Sequence, residues 1–227
     1  MNYGYLASPD LPEHAVHVLP LGAVEPHGPH APLVTDTLIS IGVCHRAAAR
    51  LEGEIPVLVL PPVHYGVTRY AAAFPGVISI SEGTLRSLVT EIAESVGPLV
   101  LVNNHFEPEQ VETLRATGLP LLDLTRRRNA ERLTEEFRSG SCHAGRYETS
   151  LVLADRQELV HTERMTALEE RHVDMPAEIR AGRTDFVAMG MTDAYCGDPA
   201  ESSAEEGLET FETLTEMLVE LIREVAA

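Results

Sequence analysis

Short apolar runs alternate with amphipathic periods along most of the chain. His14 to Leu21 (HAVHVLPL), Ile55 to Leu60 (IPVLVL), Gly76 to Ile80, Leu99 to Asn103 and Leu119 to Leu124 (LPLLDL) have strand length and composition. Between them, apolar residues recur about every 3.6 positions. One such period covers Thr37 to Leu51; another covers Thr84 to Val96, with Leu85, Leu88, Val89, Ile92 and Val96 on one face. Pro108 suits a first helical turn and predicts a further helix start. The last helix is predicted from Leu208 to Val225, carrying Phe211, Leu214, Leu218, Leu221 and Ile222. Strands alternating with helices predict an α/β fold whose mostly parallel sheet is covered on both faces. The stretch from His161 to Ala194 is the least regular and predicts long loops.

Composition narrows this picture. A chain of 227 residues without repeats, low-complexity tracts or an obvious linker is expected to form one domain, residues 1–227. No apolar run approaches the roughly 20 residues needed to cross a bilayer. The first residues lack a basic region followed by an apolar one, so a cytoplasmic location is expected. Cys44, Cys142 and Cys196 are far apart and form no C-x-x-C pair, against a disulfide framework or a thiolate zinc site. A formal charge of −18 opposes nucleic acid and anionic membrane as partners and leaves small molecules or proteins. There is no lysine, since all 17 cationic side chains are arginine. That excludes Schiff-base chemistry and a lysine-dependent phosphate loop.

In parallel α/β folds, ligands bind beyond the carboxyl ends of the strands. Three loops there are rich in chemistry: Gly22 to Asp36 (GAVEPHGPHAPLVTD), His105-Phe106-Glu107, and Cys142 to Ser150 (CHAGRYETS). Singly, each residue has an ordinary explanation. Asp36 suits a helix cap, and His27 and His30 suit a solvated turn. Glu107 and Glu148 suit the positive end of a helix, and His143 suits a structural hydrogen bond. Together, several carboxylates and imidazoles on adjacent strand ends suit Zn²⁺, Mn²⁺ or Fe²⁺, and the carboxylate count suits two ions bridged by one of them.

These stretches carry a resemblance. E-P-H-G-P-H-A-P-L-V-T-D resembles the E-x-H-G-x-H-x-P-x-x-x-D signature of the creatininase family, and C-H-A-G-R-Y-E-T-S resembles its H-A-G-x-x-E-T-S. F-P-G-V-I-S at Phe74 to Ser79 and G-D-P-A-E-S-S-A-E-E-G near the C-terminus resemble further blocks, so the likeness covers about residues 20 to 207. It implies a three-layer α/β/α sandwich, a homo-oligomer (commonly a hexamer), and a binuclear centre holding two divalent ions, Zn²⁺ foremost with Mn²⁺ or Fe²⁺ as alternatives. By the same likeness, Glu25, Asp36 and His105 would hold one ion and His27, Asp36 and Glu107 the other. His143 would shuttle protons, and Glu148 would bind the nucleophilic water or orient His143. The implied reaction is hydrolysis of a carbon-nitrogen amide bond in a small, often cyclic, molecule such as a lactam.

Creatininases proper enclose their substrate with tryptophans, and this chain has none, so creatinine itself is not the expected substrate. Candidate substrate contacts are Thr68, where the family has Ser, Phe106, where creatininases have Tyr, and Arg146. Arg69 or Arg146 would pair with a substrate anion, or else lie on the surface. The family also contains formamide hydrolases and peptidases that trim a ribosomally made cofactor precursor; the H-x-E pattern weighs modestly against both. A metal-binding subunit without turnover is the remaining alternative.

Overall fold

The sheet is built where both faces of a strand can be buried. In the computed structural model, which describes residues 1–227, β1 (Val16–Leu21), β2 (Val57–Val59), β3 (Leu99–Asn103) and β4 (Leu121–Leu122) form one parallel sheet in the order β2-β1-β3-β4. Every residue of β1 and β3 is buried. Prolines shorten the outer strands relative to expectation: Pro56 precedes β2, Pro61 and Pro62 follow it closely, and Pro120 stands just before β4.

Alternate strand residues enter opposite cores. Val16, Val18, Val100 and Val102 join the larger core with α1 (Thr35–Arg50), while Leu19, Leu21, Leu99 and Leu101 join a smaller one with α2 (Glu82–Val96) and α3 (Pro108–Arg115). After β4 come two short helices, α4 (Arg127–Ala130) and α5 (Glu135–Ser139), and then α6 (Arg146–Arg156). The chain continues through α7 (Thr162–Met165) and α8 (Met175–Arg180) to the long α9 (Ala204–Ala226). Helices α6 and α9 complete the face that α1 begins, giving the three layers. No helix is long and apolar enough to cross a membrane.

Two expectations change. Gly76 to Ile80 is not a sheet strand: it runs over the strand ends and makes isolated bridges, Ile78 with Val24 and Ser79 with Gly66. Ile78 is 49% exposed, so the segment has no second layer to bury it. The irregular region from His161 onward is loop-rich as expected, but it also builds a third cluster in which Val173, Phe186, Met189 and Met191 pack against Tyr70 and Ala71.

Helix α9 starts at Ser203, whose side chain accepts from the Glu206 amide at 3.2 Å. Gly207, buried in its first turns, allows close approach to α6, because a Cβ there would lie 1.9 Å from the Ser150 carbonyl oxygen. Gly207→Ala should therefore lower stability by about 1–3 kcal/mol through overpacking. Thermal unfolding would register this as a fall of roughly 2–4 °C per kcal/mol; an unchanged melting temperature would contradict so close a crossing.

Candidate metal centre

The order β2-β1-β3-β4 makes the chain leave β1 toward opposite sides, so a crevice opens between the ends of β1 and β3, where Leu21 faces Asn103. Glu25 and His27 lie in the loop after β1, His105 and Glu107 after β3, and His143 just before α6, while Asp36 and Glu148 sit in the first turns of α1 and α6. All seven are buried. Gly22 lets the exit of β1 press against the start of α1, since a Cβ there would lie 2.5 Å from the Thr37 nitrogen.

Buried polar side chains lock this junction. Ser40 donates to the Leu21 carbonyl at 2.6 Å and accepts from Asn104 at 3.0 Å. Gln110 donates to Asn103 at 2.8 Å and accepts from the Val67 amide at 2.7 Å. His30 meets Thr149 at 2.9 Å, tying the first loop to α6.

Each of three imidazoles has its outer nitrogen on a backbone carbonyl: His105 Nε2 on Val67 (2.8 Å), His27 Nδ1 on Glu25 (3.0 Å) and His143 Nε2 on Pro26 (3.0 Å). A carbonyl only accepts, so those nitrogens carry the protons and the other nitrogens face inward. Inside, His105 Nδ1 lies 3.1 Å from both Glu25 Oε1 and Asp36 Oδ2. His27 Nε2 lies 2.9 Å from Asp36 Oδ1 and 3.6 Å from Glu148 Oε2. His143 Nδ1 stands further off, 3.8 Å from Glu25 Oε1.

Burial disfavours every charge here, so neighbours decide. Burial opposes charge on His27, but Asp36, Glu148 and Glu25 push its pKa up to about 10. His105 is likewise raised despite burial, by Glu25 and Asp36. His143 is pushed down to about 4 by burial and by His27. Burial raises Glu148 to about 8 and Glu107 to about 7. The carboxylates thus draw positive charge into the site, and without another cation it comes as imidazole protons.

A divalent cation fits the same need. Ligand atoms of Glu25, Asp36 and His105 lie within 4.8 Å of one another, as do those of His27, Asp36 and Glu148. Glu25, His27 and His143 form a third such group. Asp36 Oδ2 is buried and, despite the nearby His105 nitrogen, has no hydrogen-bond partner. Mixed imidazole and carboxylate donors suit Zn²⁺, Mn²⁺ or Fe²⁺.

Several residues sit elsewhere than sequence reasoning placed them. Glu148, not Glu107, completes the group with His27 and Asp36, because the turn into α6 brings its carboxylate inward. Ala144 in that turn has a φ of 51°, a left-handed conformation costly for alanine, and its amide donates to Glu148 Oε2 at 2.7 Å. Glu107 is in the wall of the same cavity, but its oxygens accept from the Arg69 amide at 2.8 Å and the Tyr70 amide at 3.2 Å. Asp36 belongs to the first turn of α1 and is not its cap, a position Val34 occupies. Thr68 does not line the cavity; its hydroxyl donates to Glu25 and steadies that ligand. Arg146 pairs with Glu206 on the surface and Arg69 pairs with Glu82 at 2.6 Å, which is the surface alternative that the sequence left open for both.

The cavity above these groups has a volume of about 310 Å³. Phe106 lines it and stands edge-on to Phe137 at 5.3 Å. Sequence reasoning missed much of the wall, including Met175, Ile179, Phe186 and Met189 from the irregular region and Arg138 from α5. It also missed Ser40, Asn104 and Gln110, whose only signal is polarity at positions that face the core.

Comparison with known proteins gives concordant results. The family model for creatininase, creatinine amidohydrolase, matches residues 5–222. A mycofactocin precursor peptide peptidase of Mycobacterium ulcerans (strain Agy99) is 33% identical over 216 residues, covering 90% of this chain and 83% of that protein. Creatinine amidohydrolase of Pseudomonas putida is 28% identical, covering 92% and 85%. A solved structure described as creatininase Mn shares the fold with a TM-score of 0.75 at 23% identity, over 98% of this chain and 97% of that one.

The raised imidazoles set a sign for pH dependence. His27 stabilises the metal-free fold fully below its unfolded value near 6.5, and that contribution is lost as pH rises through about 10. Chelator-treated protein should therefore lose melting temperature across that window. Zn²⁺ should flatten the profile and, at pH 8, release protons on binding, measurable by calorimetry in buffers of different ionisation enthalpy. A profile that Zn²⁺ leaves unchanged would contradict a metal centre here.

Proposed function

The chain belongs to the creatininase family of metal-dependent amidohydrolases, and on that premise we propose that it hydrolyses a peptide bond with two divalent cations. One would be held by Glu25, Asp36 and His105, the other by His27, Asp36 and Glu148, with Asp36 bridging. The observation that carries this reading is the outward anchoring of the imidazoles: Val67 and Glu25 carbonyls hold His105 and His27 with their free nitrogens turned toward the two oxygens of Asp36. Ions there supply Lewis acidity, lowering the pKa of water toward neutrality and polarising the amide carbonyl.

Proton movement falls to Glu107 and His143, which the two ligand groups do not need and which line the cavity. The amides of Arg69 and Tyr70 fix the Glu107 carboxyl in place, and it accepts the proton of water and returns it to the leaving nitrogen. His143 Nδ1 is an acceptor, because its Nε2–H is given to Pro26; it orients the attacking water for that transfer.

A peptide substrate is favoured over the lactam expected from sequence for two reasons. The relative at 33% identity is named a peptidase, against 28% for the creatinine amidohydrolase. The wall formed by Phe106, Phe137, Phe186 and Met189 suits an apolar side chain, and no tryptophan is present to enclose a flat ring.

Purified protein should contain two equivalents of transition metal. Short peptides with apolar residues and a panel of lactams, tested with Zn²⁺, Mn²⁺ and Fe²⁺ in turn, should show peptide cleavage as the faster reaction. Turnover that persists after the metal is stripped, or a lactam cut faster than every peptide, would refute the reading. Glu107→Gln should retain both ions while kcat falls about 10²–10⁴-fold. Asp36→Asn should lose metal as well as activity.

A further inference from the structure

Arginines in this acidic chain mostly face carboxylates: Arg46 pairs with Asp155, Arg50 with Glu212, Arg146 with Glu206 and Arg223 with Glu54. Arg138, in α5, pairs with none, and it is the one arginine lining the cavity. Its Nη1 donates to the Leu133 carbonyl at 2.8 Å, which sets the plane of the guanidinium. The Nε and Nη2 edge is left without a partner, and that edge is the fork that matches a carboxylate with two parallel hydrogen bonds. Arg138 is exposed whereas Glu25, Asp36 and Glu148 are buried, so the cation stands at the mouth of the cavity and the carboxylates at its floor.

The wall next to this fork is apolar. Phe137 precedes Arg138, and Gly140 follows closely and packs against Pro176 at the start of α8, where a Cβ on Gly140 would lie 2.4 Å from Pro176 Cδ. Met175 and Ile179 extend the same wall. In a protein of formal charge −18, an unpaired guanidinium beside an apolar wall is a place for an anion that also carries a hydrophobic group.

We infer that Arg138 grips the terminal α-carboxylate of the substrate, so that the protein acts at the C-terminal end of peptides whose last residue is apolar. This rests on the peptide-hydrolase reading above and adds the end of the peptide that is recognised. Arg138 is a binding residue here; it moves no proton.

The test compares peptides ending in phenylalanine as the free acid and as the C-terminal amide, using the metal-loaded protein. Wild type should prefer the free acid by about 10- to 100-fold in kcat/KM, as expected for a charge-assisted bidentate pair. In Arg138→Ala that preference should shrink toward unity, mainly through KM, and Arg138→Lys should recover part of it. Calorimetry with N-acetylphenylalanine and its amide reads the same contact without turnover, and circular dichroism confirms that the variants fold. A wild type with no preference for the acid, or a preference that Arg138→Ala leaves intact, overturns the assignment. Absence of peptide cleavage would overturn the hydrolase reading alone, because the binding comparison still tests the carboxylate contact.

Discussion

The site depends on one carboxylate held between two imidazoles. Asp36 stands in the first turn of α1, where unpaired amides and the helix dipole favour negative charge. Its two oxygens face different histidines, Oδ1 toward His27 and Oδ2 toward His105. His27 comes from the loop after β1 and His105 from the end of β3, so this carboxylate joins the two strands flanking the switch in strand order. Gly22 permits the approach and Ser40 locks it, which makes the inner face of α1 part of the site.

Around that carboxylate the protein has fixed every donor before any cation arrives. Backbone carbonyls of Val67, Glu25 and Pro26 set the tautomers of three histidines. Thr68 steadies Glu25, and the Ala144 amide holds Glu148. The left-handed Ala144 shows that the turn into α6 accepts local strain to aim a carboxylate inward. Preorganisation of this kind would spare these donors from rearranging on binding a cation, while Glu107, held by the Arg69 and Tyr70 amides, lines the cavity with His143.

The fold was largely legible in the chain. Apolar runs placed β1 and β3, helical periods placed α1, α2 and α9, and Pro108 marked the start of α3, because strands buried on both faces and amphipathic helices leave periodic marks in sequence. Gly76 to Ile80 has the composition of a strand and still lies outside the sheet, since composition does not report whether a second layer is present. The loop motifs identified Glu25, His27, Asp36, His105, Glu107, His143 and Glu148 as a group. Thr68 and Arg146 show the limit, because their positions in a motif did not reveal that one supports a ligand and the other points to solvent.

By itself, then, the sequence determined the layered α/β architecture, the family and the inventory of donors at the strand ends. Those depend on local periodicity and on residue types at short spacing. Tertiary structure alone decided that Glu148 rather than Glu107 faces His27, that Phe186 and Met189 roof the cavity, and that Arg138 stands unpaired at its mouth. These depend on where distant segments meet and which way their side chains turn, and no spacing along the chain encodes either.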